Sequence, residues 1–330
     1  MVSENSLFGI VSTVRITLLF SGSMNERFPL SIPNGWFQIA YSDELASGRV
    51  QPLHYFDSDL VLFRTESGEV VLLDAFCRHL GAHLGYGGVV AGDRIRCPFH
   101  AWEFDTQGAC RNVPYAKKVP PKAKVASWHC VERNQIIWAW HHGQGAPPSW
   151  EIPHVAEVSS NDWTAFDRYR WTVRTHNQEI GENAVDRAHF RYVHGAAKVP
   201  ESKLELDGHI RRAVQHLDMR TPRGEVKGKI TVEAHGMGCT ITRFTGICET
   251  VLLLSHTPID SVSVDSRFSF TQRKADEGSG IAAATINEVV RQMEQDIPIW
   301  EHKKYLPKPM LCDGDGPIPE YRKWASQFYC

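Results

Sequence analysis

Cys77-Arg78-His79 and Cys97-Pro98-Phe99-His100 form a C-x-H and a C-x-x-H with seventeen residues between them. Each prong offers one thiolate and one imidazole. Two such prongs can hold a [2Fe–2S] cluster in which Cys77 and Cys97 ligate one iron and His79 and His100 the other, and the imidazoles raise its potential above that of an all-thiolate cluster. The same four side chains could make a tetrahedral zinc site. Zinc fingers pair Cys with Cys and His with His along the chain, whereas each prong here mixes the two, so the cluster is the better reading. Gly81, Gly85, Gly87 and Gly88 after the first prong would let backbone amides approach the cluster sulfurs.

A second group lies further along, at Asn183, Asp186, His189 and His194. Residues 183, 186 and 189 are spaced by three and would share one face of a helix. His194, five beyond His189, would point away on an ideal helix, so the helix must end or distort after Phe190, with Gly195 as its stop. Both imidazoles can then reach one point. Two histidines and one carboxylate on one face of an Fe(II) leave three positions open for oxygen chemistry. The third ligand is expected at Asp296: Val289, Met293, Asp296 and Trp300 follow a three-and-four spacing that puts Asp296 on the inward face of a helix over residues 289–305. A lone acid there is costly unless paired or metal-bound. Glu294 and Glu301 fall on other faces, and Pro298 would kink the helix close to the site. Asp186 reads as the carboxylate that takes the other ring proton of a metal-bound His189. Its alternative is a surface aspartate paired with Arg187 or Arg191.

The elements that must position these residues sort into two modules of an α+β chain. From Trp36 to about His142, short apolar runs at 60–63, 70–73 and 136–140 alternate with Gly, Asp and Asn turns, which reads as all β. Residues 144–148 look like a linker between a cluster domain over 27–143 and a catalytic domain over 149–330. Beyond the linker, strands near 167–174, 229–233, 240–244, 251–255 and 267–270 suggest an antiparallel sheet covered by the 289–305 helix. Ile230, Val232, Ile241, Phe244, Val251, Leu253, Phe268 and Phe270 are candidate pocket walls, though most suit ordinary core. Arg243 and Arg267 are candidate partners for a substrate carboxylate, or surface charges. The 330 residues carry a formal net charge of −2, so no basic field points to nucleic acid. Residues 7–20 are apolar, but Arg15 interrupts them and they are too short to span a bilayer; residues 1–26 are expected to be a poorly ordered extension and no membrane partner is expected. Of the eight cysteines, Cys110, Cys130, Cys239, Cys248, Cys312 and Cys330 remain beside the two cluster cysteines without a disulfide pattern, which suits a reducing cytoplasm. No G-x-G-x-x-G follows a strand, since Gly85-Tyr86-Gly87-Gly88 lies in the cluster loop, so the chain is not expected to bind nicotinamide or flavin itself.

The two motifs, in this order and separation, resemble those of the catalytic (alpha) subunit of Rieske non-heme iron oxygenases over nearly all of the chain from Arg27. Within that family, His176-Asn177-Gln178-Glu179, Glu182-Asn183, Ala188-His189-Phe190 and the ending from Pro309-Met310-Leu311-Cys312 through Trp324 to Gln327-Phe328-Tyr329 are similar to the 3-ketosteroid 9α-hydroxylase oxygenase and cholesterol desaturase group. The stretch between His194 and Lys229 is short beside the substrate-facing loops of steroid-type members. The resemblance implies a helix-grip catalytic domain after the Rieske domain, with one [2Fe–2S] cluster and one mononuclear Fe(II) per chain. It further implies a homotrimer in which Asp186 links His189 to His100 of a neighbouring subunit. A separate NAD(P)H reductase, with or without a ferredoxin, would supply electrons, and O2 would hydroxylate a hydrophobic ring compound, steroids among the candidates. Desaturation or N-oxidation would use the same metals, and a Rieske protein that only transfers electrons would lack the second one.

Overall fold

The structure is a computed structural model and describes residues 27–330 except 200–202, 222–223 and 247. Eleven strands form the first part: β1 (Gly35–Tyr41), β2 (Val50–Tyr55), β3 (Ser58–Arg64), β4 (Val70–Asp74), β5 (Val89–Ala91), β6 (Arg94–Arg96), β7 (Glu103–Phe104), β8 (Cys110–Asn112), β9 (Ser127–Trp128), β10 (Cys130–Arg133) and β11 (Ile136–His141). The second part comprises α1 (Ala156–Ser159), β12 (Asp167–Val173), α2 (Asn177–Asn183), α3 (Arg187–Tyr192), β13 (Lys203–Asp207), β14 (Ile210–Thr221), β15 (Gly224–His235), β16 (Cys239–Thr245), β17 (Thr250–Pro258), β18 (Val264–Gln272), α4 (Gly280–His302) and α5 (Ile318–Ala325). The expected extension at residues 1–26 lies outside the described residues.

The first part is three small sheets, ordered β1-β11-β10, β2-β3-β4-β9 and β5-β6-β7-β8. The unbroken apolar run of β3 follows from burial on both faces. Val61 and Phe63 join Ile95 and Phe104 beneath the two prongs, while Leu60 and Leu62 pack with Phe37, Ile39 and Ile137. Strand β11 is two-faced in the same way, and its Ile136, Trp138 and Trp140 pack with Ile241, Val251 and Leu253 of the second part.

The second part is one antiparallel seven-stranded sheet, ordered β12-β18-β17-β16-β15-β14-β13. Because successive side chains leave a strand on opposite faces, Leu252, Phe268 and Phe270 turn the other way, toward Ile286, Met293 and Trp300 of α4. This is the expected α+β arrangement of small β-sheets followed by a large sheet and a long C-terminal helix. Helix α4 starts well before residue 289, because Ser279 caps the Ala282 amide (3.1 Å) ahead of an alanine-rich first turn, and it ends at His302. The stretch before Lys229 is a long hairpin, β14 with β15, in continuous register from Ile210↔His235 to Thr221↔Gly224.

Candidate metal centres

The two cysteine–histidine prongs are twin loops. In each, the cysteine carbonyl accepts from the residue four ahead (Gly81 N, 3.0 Å; Ala101 N, 3.1 Å), and the cysteine amide donates to the residue five ahead (Ala82 O, 2.9 Å; Trp102 O, 2.8 Å). The turn needs a left-handed residue at its fifth position, supplied by Gly81 (φ 76°) and by Ala101 (φ 58°). Cys77 and Cys97 are both buried, and burial pushes the Cys77 thiol up to about 11, so a thiolate there calls for a bound cation. The His79 and His100 rings lie 4.7 Å apart, centroid to centroid, with His79 stacked on Trp102. His100 Nδ1 is buried with no hydrogen-bond partner, as a nitrogen reserved for a metal would be. Among the described residues only one set of three His, Cys, Asp or Glu donors lies within 4.8 Å of one another, and it does not include these four. The two thiols neighbour each other and the two imidazoles neighbour each other, the pairing that a two-iron cluster with one iron on each pair requires. Packing also requires Gly85 and Gly88: a Cβ on Gly88 would meet the Leu84 carbonyl oxygen at 2.0 Å, and one on Gly85 the Pro52 Cβ at 2.8 Å.

The compact set is His189, His194 and Asp296. Their side chains are only 8, 3 and 9% exposed, and His194 Nε2 lies 3.4 Å from Asp296 Oδ2. The continuous helix expected over 183–190 is instead two, α2 and α3, with Asp186 as the cap between them. Its Oδ1 accepts from Ala188 N (3.1 Å) and His189 N (3.4 Å), and satisfying those amides holds Asp186 in an extended conformation (φ −76°, ψ 100°) that ends the first helix. The His189 ring proton goes to the main-chain carbonyl of Asp186, not to its carboxylate, whose Oδ2 stands 4.0 Å from Nδ1. This corrects the expected carboxylate partner but keeps its effect: a carbonyl can only accept, so Nδ1 carries the proton and Nε2 offers its lone pair to the site. His194 Nδ1 is likewise engaged by Gln295 Oε1 (3.0 Å). Helix α3 ends at Tyr192, two residues past Phe190, and a wide turn with Gly195 at φ 76° swings His194 round to face His189.

Asp296 comes from the buried face of α4. Pro298 lacks an amide, so the carbonyl four residues before it, at Glu294, has no helical donor beside the site. Burial pushes the Asp296 carboxyl up to about 6, against the pull of His194 and a hydrogen bond from Asn183 Nδ2 (2.9 Å). Asn183 Nδ2 also lies 3.2 Å from His189 Nε2, which puts this amide among the three donors. Two imidazole lone pairs and one buried acid with no cationic side chain beside it are the donor set of a non-heme ferrous site.

Residues 35–128 match the Rieske [2Fe-2S] domain family and residues 139–329 the 3-Ketosteroid 9alpha-hydroxylase C-terminal domain family. The chain is 32% identical to a 3-ketosteroid-9-alpha-monooxygenase oxygenase component of Rhodococcus rhodochrous, over 91% of this chain and 81% of that one. It is 34% identical to the cholesterol 7-desaturase of Caenorhabditis elegans, over 91% and 78%. The chain belongs to the Rieske non-heme iron oxygenases. The fold is shared with dicamba monooxygenase (TM-score 0.72, 19% identity, 91% of this chain and 98% of that one) and with NdmA of Pseudomonas putida CBB5 (TM-score 0.74, 21% identity, 92% and 91%). It is thus a terminal oxygenase component with a Rieske [2Fe–2S] domain and a His/Asp site for mononuclear iron, and it depends on a separate electron donor. No described helix is long and apolar enough to cross a membrane.

In this oxygenase the iron site opens into a cavity of about 260 Å³ between the sheet and α4. Of the candidate walls, Ile230, Val232, Phe244 and Phe268 line it. Ile241, Val251 and Leu253 lie on the opposite face, in the core shared with β11, and Phe270 is fully buried in the core under α4. Neither candidate arginine reaches the cavity: Arg243 pairs with Glu157 (2.7 Å), and Arg267 is buried against Asp265 (3.0 Å) on the far face. The arginine that does line it is Arg211 of β14, which the sequence reading missed. Its signal was the alternation Arg211, Ala213, Gln215 opposite Ala234, Val232 and Ile230.

Proposed function

We propose that this oxygenase uses O2 and reductase-supplied electrons to hydroxylate a hydrophobic ring compound of the sterol or steroid class. Cys77 and Cys97 hold one iron of the cluster and His79 and His100 the other; His189, His194 and Asp296 hold the mononuclear iron. The observation that carries this reading is the convergence of those three donors in a nearly dry site at the wall of an apolar cavity. The bound ferrous ion would supply dioxygen activation. The chain's own residues do the rest: Asp186 O and Gln295 Oε1 fix the imidazole orientations, Asn183 holds Asp296 in place, and Leu252, Leu254, Phe244 and Phe268 bind the ring skeleton and exclude water.

We further assign electron delivery to a neighbouring subunit in a homotrimer. The Asp186 side chain is 35% exposed, and Leu80, Tyr86, Phe99 and Tyr115 form an exposed apolar collar around the cluster prongs, which supports docking of one on the other. None of the eight cysteines is in a disulfide, which supports a cytoplasmic site of action. The similarity to a sterol desaturase favours a second outcome of the same chemistry, removal of two hydrogens. Turnover with a reductase under 18O2 across a panel of sterols, steroids and aromatic compounds decides between them. One labelled oxygen in the product is the expected result. An unlabelled alkene would establish desaturation, and reductase-dependent oxygen uptake that no ring compound stimulates would refute the proposal.

A further inference from the structure

Arg211 is 4% exposed and lines the oxygenase cavity, yet its Nε and Nη1 are buried without a hydrogen-bond partner. Among the described residues it has no ion pair either. Asp296 is the only acidic one among the described residues of the cavity wall, and it belongs to the iron site. Tyr321, which also lines the cavity, turns its hydroxyl to Met237 Sδ (3.6 Å) and not to the guanidinium. Neighbouring arginines of the same sheet are resolved differently, Arg212 by Glu233 and Arg243 by Glu157.

A guanidinium keeps its charge and offers five N–H donors, so burying one unpaired is among the costlier things a fold can do. Methionine or leucine would fill the same place without that penalty. The cost is recovered when a ligand brings an anion to it. We infer that Arg211 is the specificity determinant for a substrate bearing a carboxylate, a ring acid of the steroid type rather than its neutral counterpart. Resting on the oxygenase reading above, this names the substrate's polar end. A carbonyl or hydroxyl would accept a hydrogen bond but leave the buried charge uncompensated.

The sheet register gives the scale. Arg211, Ala234, Thr240 and Leu254 lie side by side on adjacent strands, and strands about 4.8 Å apart place Arg211 roughly 14 Å from Leu254 across the cavity floor. A rigid skeleton of several fused rings lying along that row reaches from β17 to the guanidinium, with the small side chain of Ala234 leaving room beside it.

The test is binding of matched pairs to the iron-loaded protein by titration calorimetry. The probes are 3-oxo-4-androstene-17β-carboxylic acid and its methyl ester, with 2-naphthoic acid and methyl 2-naphthoate as a smaller pair. The wild type is expected to bind at least one acid about tenfold or more tightly than its ester, the range of a hydrogen-bonded charge. Arg211→Gln should bring that ratio to within about twofold through loss of acid affinity, and Arg211→Lys should keep part of it. Arg211→Met is expected to leave the ligand-free melting temperature at or above wild type. Equal or tighter ester binding by the wild type in both pairs overturns the inference, as does a preference for acid that survives Arg211→Gln. The wild-type comparison decides alone if a variant does not fold. Iron content and reductase-dependent oxygen uptake on the same samples report on the oxygenase reading separately, so the failure of one is not mistaken for the failure of the other.

Discussion

Asp186 does three separable things, and two substitutions separate them. Its carboxylate caps α3 through the Ala188 and His189 amides, its carbonyl fixes the His189 ring, and its second carboxylate oxygen takes no part in the cap, on a side chain that is 35% exposed. Asp186→Asn keeps the cap, since Asn caps about as well as Asp, and keeps the carbonyl; only the charge is lost. Asp186→Ala also loses the cap, at a cost of about 1 kcal/mol, or roughly 2 °C in melting temperature for a chain of this size. Neither removes the carbonyl that orients His189, so both variants should retain the mononuclear iron. If the charged carboxylate carries electrons in from the neighbouring cluster, both should lose about tenfold or more of reductase-coupled turnover, as loss of an outer partner does at other metal sites. The assay is steady turnover beside the rate at which a pre-reduced cluster is reoxidised once O2 and substrate are added. Wild-type turnover in Asp186→Asn would refute the electron role, and loss of iron in Asp186→Asn would refute the assignment of ring orientation to the main chain.

Three further outcomes follow from the packing around the iron site. A Cβ on Gly316 would lie 1.8 Å from the Val185 carbonyl oxygen, so Gly316→Ala should push the 184–186 link, cost about 1–3 kcal/mol and lower iron retention; an unchanged melt and iron content would contradict this. Arg322 forms a two-pronged pair with the buried Glu182 of α2 (2.6 and 2.9 Å), and Arg322→Met should cost about 3–5 kcal/mol in urea unfolding by stranding that acid. Burial pushes His176 and His256 down to about 4, and His176 must stay neutral to accept from Gln178 N while donating to Ser31 O. The unfolded chain binds these protons first, so stability should be full above about pH 6.5 and fall toward pH 4, by roughly 1–2 kcal/mol per histidine at pH 5. Substituting either by Gln should flatten that slope.

How much of the site was legible in the sequence depended on how local its encoding was. The cluster prongs were, because each pairs its donors within four residues and the loop that presents them is built from the same residues. Asp296 was, because a helix makes spacing into a face, and an acid on the apolar face of α4 stands out. The role of Asp186 was only half legible. Three-residue spacing places it beside His189 whether the helix continues or breaks, and only the cap geometry reveals the break and the carbonyl that follows from it. Arg211 was hidden for a different reason. In Ile210-Arg211-Arg212-Ala213, two adjacent arginines read alike, and strand alternation sends one to Glu233 and the other into the cavity; which goes where depends on the pairing of β14 with β15, which is not written in β14. The same one-residue rule moved Ile241, Val251 and Leu253 from expected pocket walls to the core shared with β11.

The most direct test of the whole account is the metal inventory of the purified, anaerobically reconstituted protein. About three irons and two acid-labile sulfides per chain are expected, falling to about two irons with unchanged sulfide in Asp296→Ala. A wild-type protein that stops at two irons, or an Asp296→Ala variant that keeps all three, would contradict the assignment of His189, His194 and Asp296 to an oxygen-activating iron.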